Sequence, residues 1–212
     1  MVKLHLAAAA VSVLALAGAS VANASATSGS VWINQSSDSA ATIPSGTPDA
    51  TFSPGAINYS SSGGYTIGAF LNNPTFSNES SAFIAAGGSN TPLTGNTFID
   101  ITGTVGLKSG ANTFVVGHDD GVVLNITGFG TVVNAPGPTA FSTSPFTVTN
   151  PGPAGNFAFN LQYVECCGPP ADLDFSINNV TVGVPEPAAW TMMILGLGLL
   201  GATLRRRQAT LV

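Results

Sequence analysis

Positive charge is nearly missing from this chain. It has five Lys and Arg residues in 212, and three of them are the consecutive Arg205, Arg206 and Arg207. Between Ser25 and Pro187 the only one is Lys108, while all ten acidic residues fall in that interval, which gives it a net charge of −9. A domain so poor in cations has no patch to neutralise phosphates, so nucleic acid is excluded as a partner. An acidic, charge-poor surface can instead recruit divalent cations. Cysteine is equally scarce: the only two are the neighbours Cys166 and Cys167. Metal motifs of the C-x-x-C kind are therefore absent, and adjacent residues cannot staple distant parts of a fold. In an oxidising compartment the pair can close a vicinal disulfide, link to another chain or stay reduced. A fixed-period repeat is also lacking, which argues against a solenoid.

The two ends supply what the middle lacks. Met1-Val2-Lys3 is followed by the apolar stretch Leu6 to Ala17, and Ala22-Asn23-Ala24 has the small-x-small pattern that signal peptidase cleaves. Residues 1–24 therefore read as a signal peptide. At the other end, Pro185-Glu186-Pro187 precedes an apolar run of 17 residues, 188–204, closed by the three arginines. At 1.5 Å per residue that run is about 25 Å of helix, just enough to span a hydrocarbon core. The arginines of the tail, 205–212, stay on the cytoplasmic side, Trp190 sits at the outer interface, and the domain faces outward.

Within 25–182 the prevailing pattern is short runs separated by turns. Val31 to Ile33 and Tyr65 to Leu71 read as strands, Asn58 to Gly64 as a loop, and residues 37–62 are polar enough to be largely irregular. Ile99 and Ile101 alternate with Phe98, Asp100 and Thr102, and Lys108 to Asn112 reads as a hairpin turn. Phe114 to Val116, Val122 to Ile126 and Thr131 to Asn134 follow as short strands. Phe157, Phe159, Leu161 and Tyr163 repeat every second residue, as do Leu173, Phe175 and Ile177. With turn signals about every 8 to 12 residues and no helical period outside the two ends, the expected fold is an all-β antiparallel sandwich of jelly-roll type.

Asp119-Asp120-Gly121 is a tight turn by composition, since Asp bonds to nearby backbone and Gly accepts positive φ. Alternation along a strand would send the two carboxylates to opposite sides, and no G-x-S-x-G elbow accompanies His118, which reads as a surface residue flanking the turn. No enzyme is expected. The sequons at Asn34, Asn58, Asn78, Asn125 and Asn179 follow from a composition rich in Asn, Ser and Thr.

Two resemblances bear on these readings. The passage from Phe114 through Asp119-Asp120-Gly121 to Ile126 resembles the signature turn of protective-antigen-type β-sandwiches, which include the GLEYA adhesin domains. The passage Gly155 to Glu165, followed by Ala171 to Phe175, is similar to that family's late hairpin, where an aromatic-rich strand ends in Tyr-x-Glu. In lectin members a cis-linked Asp-Asp pair binds Ca²⁺, which in turn holds sugar hydroxyls. The resemblance thus implies Asp119 and Asp120 as metal ligands, with Asp172 or loop carbonyls completing the shell. The oxygen-seeking chemistry of Ca²⁺ suits such a set.

The tail, with Pro185, Glu186, Pro187, Trp190 and the terminal arginines, resembles the PEP-CTERM sorting signal of exopolysaccharide-producing bacteria. It implies an exosortase-type processing enzyme, transient anchoring in the inner membrane and delivery to the cell surface or matrix, with exopolysaccharide as a possible partner. The alternative is a purely structural matrix or appendage component without a small ligand. The mature protein should begin at Ser25, which N-terminal sequencing of exported material will show.

Overall fold

The computed structural model describes residues 25–183 together with 194–196 and 198 of the C-terminal run. Among the described residues no helix is long and apolar enough to cross a membrane. The signal peptide, Pro185 to Pro187, Trp190, most of the 188–204 span and Arg205 to Arg207 lie outside them.

Twelve strands are described: β1 (Ser25–Trp32), β2 (Ala50–Phe52), β3 (Asn58–Ser60), β4 (Phe76–Ser77), β5 (Thr97–Leu107), β6 (Gly110–Asp119), β7 (Gly121–Ile126), β8 (Gly130–Ala135), β9 (Ser142–Asn150), β10 (Gly155–Glu165), β11 (Asp172–Ile177) and β12 (Val180–Thr181). They form two antiparallel sheets. One runs β4-β2-β1-β5-β10-β7-β8; the other runs β12-β11-β6-β9, with β3 also paired to β11. This is the antiparallel sandwich that the alternating pattern predicts. The inward positions Ile99, Ile101 and Val105 of β5 and Phe159, Leu161 and Tyr163 of β10 are buried against Phe114, Val116, Leu173 and Phe175 of the facing sheet.

Two short helices depart from the sequence reading. Tyr65 to Leu71, expected as a strand, contains α1 (Ile67–Phe70). The Thr66 hydroxyl caps it by accepting from the Ala69 amide at 3.3 Å, and Ile67, Phe70 and Leu71 bury one face at helical spacing. Similarly, α2 (Ser81–Ala86) starts at a Ser80 cap and ends at Gly87 in the left-handed region. A helical period cannot be read over one or two turns, so the capping residues were the only local signal.

The polar stretch 37–62 is likewise more ordered than its composition suggests, because it holds β2 and β3, the latter within the expected 58–64 loop. Long-range partners explain this: the Asp49 carboxylate accepts from the Ile33 amide at 3.0 Å and the Ser80 hydroxyl at 2.7 Å. Ala40 packs with Trp32, Phe98, Val123 and Val164 on the outer face of the larger sheet. Strand β9 had no clear sequence signal. It is an edge strand, where Pro145 is tolerated because an amide that faces outward needs no ladder partner.

The Lys108 to Asn112 segment is not a hairpin, since β5 and β6 belong to different sheets. Instead the chain turns a corner between layers, and the fully buried Asn112 side chain holds it. Its oxygen accepts from the Lys108 amide (3.0 Å) and Asn178 Nδ2 (3.1 Å), while its nitrogen donates to the carbonyls of Lys108 (2.9 Å) and Gly110 (3.0 Å). Asn112→Ala would strand several of these groups, and we expect a loss of about 2–3 kcal/mol in equilibrium denaturation.

Candidate functional site

The second passage between layers builds the site. β6 ends at Asp119 in the smaller sheet and β7 begins at Gly121 in the larger one, so Asp119-Asp120-Gly121 crosses the gap. At Gly121 the backbone of Pro136 comes so close that a Cβ would lie 2.1 Å from the Pro136 carbonyl oxygen. No other residue type fits without moving that backbone.

The Asp119–Asp120 peptide bond is cis. One carboxylate oxygen from each of Asp119, Asp120 and Glu165 lies within 4.8 Å of the others. The expectation that Asp119 and Asp120 diverge is thereby corrected, since alternation describes a continuous strand and Asp120 lies between the end of β6 and the start of β7. All three side chains are buried, at 7%, 4% and 0% exposure respectively. Only the two aspartates border a cleft of about 380 Å³, whose other walls are Pro138 to Ala140 and Cys167 to Pro170.

Each carboxylate is held differently. Asp120 accepts from three backbone amides: Thr139 (3.1 Å) on one oxygen, Cys166 (3.0 Å) and Cys167 (3.3 Å) on the other. Glu165 is bracketed by phenols, with Tyr65 2.7 Å from one oxygen and Tyr163 2.6 Å from the other. The Tyr163 hydroxyl also meets the Asp119 carbonyl. Burial, then the two tyrosine bonds opposing it and the charges of Asp120 and Asp119 adding to it, leaves the Glu165 carboxyl pushed up to about 7. Protonated, Glu165 can donate to Tyr163, which then donates to Asp119, so one extra proton completes the chain of bonds. Asp119 is raised first by burial, then by the Asp120 charge, with Asp172 adding to it.

The sequence-derived residues fall as follows. Asp172 lies directly across from Asp119 in the β11–β6 pairing, but its carboxylate is outside the three-carboxylate group. His118 is not on the surface as expected; it is buried at 1% exposure. Its Nδ1 lies 2.7 Å from the Asp120 carbonyl and donates to it, leaving Nε2 to accept from the Ser144 hydroxyl at 3.3 Å. That inward position follows from a backbone carbonyl at the layer crossing needing a donor. Cys166 and Cys167 form a disulfide. The two sulfurs also gather beside Asp120, yet as a disulfide they offer no thiolate and make a poor cation site.

Glu165, Tyr65 and Ser144 were not anticipated. Glu165 had a usable signal: two residues after Tyr163, it continues the inward face of β10, and an acid on a core face needs a partner.

Comparison with known proteins bears on the fold and on the C-terminal tail. Residues 183–207 match the PEP-CTERM protein-sorting motif. A search of curated proteins finds no match. Among solved structures, the domain is similar to the PA14 domain of the antifreeze protein MpAFP, at 22% identity over 76% of this chain and 88% of that one, with a TM-score of 0.56. It is also similar to the PA14 sugar-binding domain from an RTX adhesin, at 23% identity over 73% and 90%, with a TM-score of 0.52. The fold is therefore a PA14-like antiparallel β-sandwich. The sorting motif adds that this is an exported protein with a membrane-anchored sorting signal, processed by an exosortase-type enzyme.

Without metal, a raised carboxyl favours the folded state most when protonated. The contribution of Glu165 is complete below its unfolded value of 4.5 and is lost as pH rises through about 7. In chelator, melting scans should show stability falling by roughly 2–3 kcal/mol across that window, and Glu165→Gln should flatten the fall.

Proposed function

We propose that residues 25–182 form a carbohydrate-binding module of the cell surface or extracellular matrix, which holds sugar hydroxyls through a Ca²⁺ ion at Asp119 and Asp120. One observation carries this reading: three buried carboxylates converge beside an open cleft with no cationic side chain to balance them. Lys108, the only Lys or Arg between 25 and 187, sits at the opposite end of the long strand β6. Buried acids of like charge either stay protonated or take a cation.

The donor set fits Ca²⁺. Its oxygens are hard, anionic and close together, and carbonyls of the 166–172 loop are near enough in the chain to add more. Asp119 and Asp120 face the cleft and would be the ligands. Glu165, fully buried behind them, would act through its charge and its bond to Tyr163. Bound there, Ca²⁺ supplies the positive charge and open coordination positions that neighbouring hydroxyls of a sugar can fill. The neighbour from the RTX adhesin carries sugar binding in its own description, and the export route supports exopolysaccharide as the partner class. We assign the site no catalytic role.

Calorimetry in millimolar Ca²⁺ tests the metal step. At 100 times the dissociation constant the bound state gains about 2.7 kcal/mol, a rise in melting midpoint on the order of 5–10 °C for a domain this size. Asp119→Asn with Asp120→Asn should abolish the rise. A wild-type midpoint indifferent to Ca²⁺ would sink the metal site and favour a structural matrix component instead.

A further inference from the structure

The cleft beside the aspartate pair has two unlike sides. Asp119 and Asp120 make one polar. The other is lined by Cys167, Gly168, Pro169 and Pro170, none with a charged side chain, and no aromatic residue is among the lining. A saccharide is similarly two-faced, with hydroxyls at its edges and a patch of C–H groups on the ring. If hydroxyls engage an ion at the aspartates, the C–H patch is left to find an apolar surface, the work that an aromatic ring commonly performs in a binding cleft.

We propose that the Cys166–Cys167 disulfide ring is that surface: a platform on which the C–H face of an ion-held saccharide rests, extended by Pro169 and Pro170. The inference rests on the reading of the cleft as a Ca²⁺-dependent sugar site. Three features of this chain support it. Sulfur without a proton is apolar and polarizable, and makes good dispersion contacts. The ring borders the charged group directly, since the Cys166 sulfur is 3.1 Å from an Asp120 carboxylate oxygen. Finally, Cys167 is exposed while Cys166 is half-buried, so the ring is anchored on one side and open on the other.

The anchoring explains the adjacency of the two cysteines. Their successive amides both donate to the same Asp120 oxygen, which places the ring beside that carboxylate. An ion stands about 2.3–2.6 Å from its ligand oxygens. Hydroxyls bound to an ion at Asp120 are therefore within a few ångströms of the sulfurs. Prolines two and three residues further on limit the backbone freedom of the same wall.

The chain has only two cysteines, so protein labelled with ¹³C at cysteine Cβ reports on this contact alone. The full domain in millimolar Ca²⁺ is titrated with the methyl glycosides of glucose, galactose, mannose and fucose. For any glycoside that binds, nuclear Overhauser effects are expected between its ring C–H protons and the Cys167 methylene. The paired change Cys166→Ser and Cys167→Ser, checked for an unchanged fold by its spectrum, should weaken that glycoside about tenfold, or some 1.4 kcal/mol, while Ca²⁺ affinity stays within about twofold on the same scale. A bound glycoside with no Overhauser effect to either cysteine overturns the platform and leaves the sugar site standing. Ca²⁺ binding with no glycoside bound overturns both.

Discussion

The Tyr163 hydroxyl is the contact on which the site depends. It joins the end of β10 to the point where the chain changes sheets, meeting the Asp119 carbonyl and the Glu165 carboxylate together. Its ring is fixed from the other side, stacked on Phe70 of the short helix α1 with centroids 5.6 Å apart. Burial first, and then the Glu165 charge, keeps the phenol protonated and so a donor. Core packing and site chemistry are thus carried by one side chain: the ring belongs to the sandwich and the oxygen to the acid cluster.

The crossing between layers imposes the remaining constraints. Backbone groups leaving one sheet for the other lose their ladder partners, and side chains take over that role. His118 serves the Asp120 carbonyl, and at the other end of β6 Asn112 serves the Lys108 corner. The Asp120 carboxylate in turn collects amides from two loops, those of Thr139, Cys166 and Cys167. A cluster of acids is thereby held in place by neutral donors. Lys108 is the only Lys or Arg between Ser25 and Pro187, and it lies at the far end of β6 from this cluster.

The shortage of basic residues links the two halves of the protein's life. Three of the five Lys and Arg residues sit in the terminal tail, inside the matched sorting motif. All ten acidic residues lie between Ser25 and Pro187. In that interval the formal charge is almost entirely negative, and the acids there are held by Tyr, Ser and Asn side chains and by backbone amides.

How much of this was legible beforehand varied with the range of the interactions involved. Period-2 alternation in β5, β10 and β11 and the bracket of Pro-Glu-Pro and arginines are local patterns, and each pointed to its feature directly. The Asp119-Asp120-Gly121 turn was legible as a turn, and the structure places it at the crossing between the two sheets. By contrast, α1, β9 and the order in 37–62 depend on partners far along the chain. Alternation also missed the convergence of Asp119 with Asp120, because it describes an extended strand and these residues leave one. Glu165 and His118 show the same limit: their neighbours in sequence mark them as strand positions, but burial and hydrogen bonding arise only when two sheets close over them. Pattern along the chain was enough to specify two sheets and an exported domain. The meeting of three acids, two phenols and a disulfide around one layer crossing required the sheets to pack, because those groups come from segments up to a hundred residues apart and no local rule couples them.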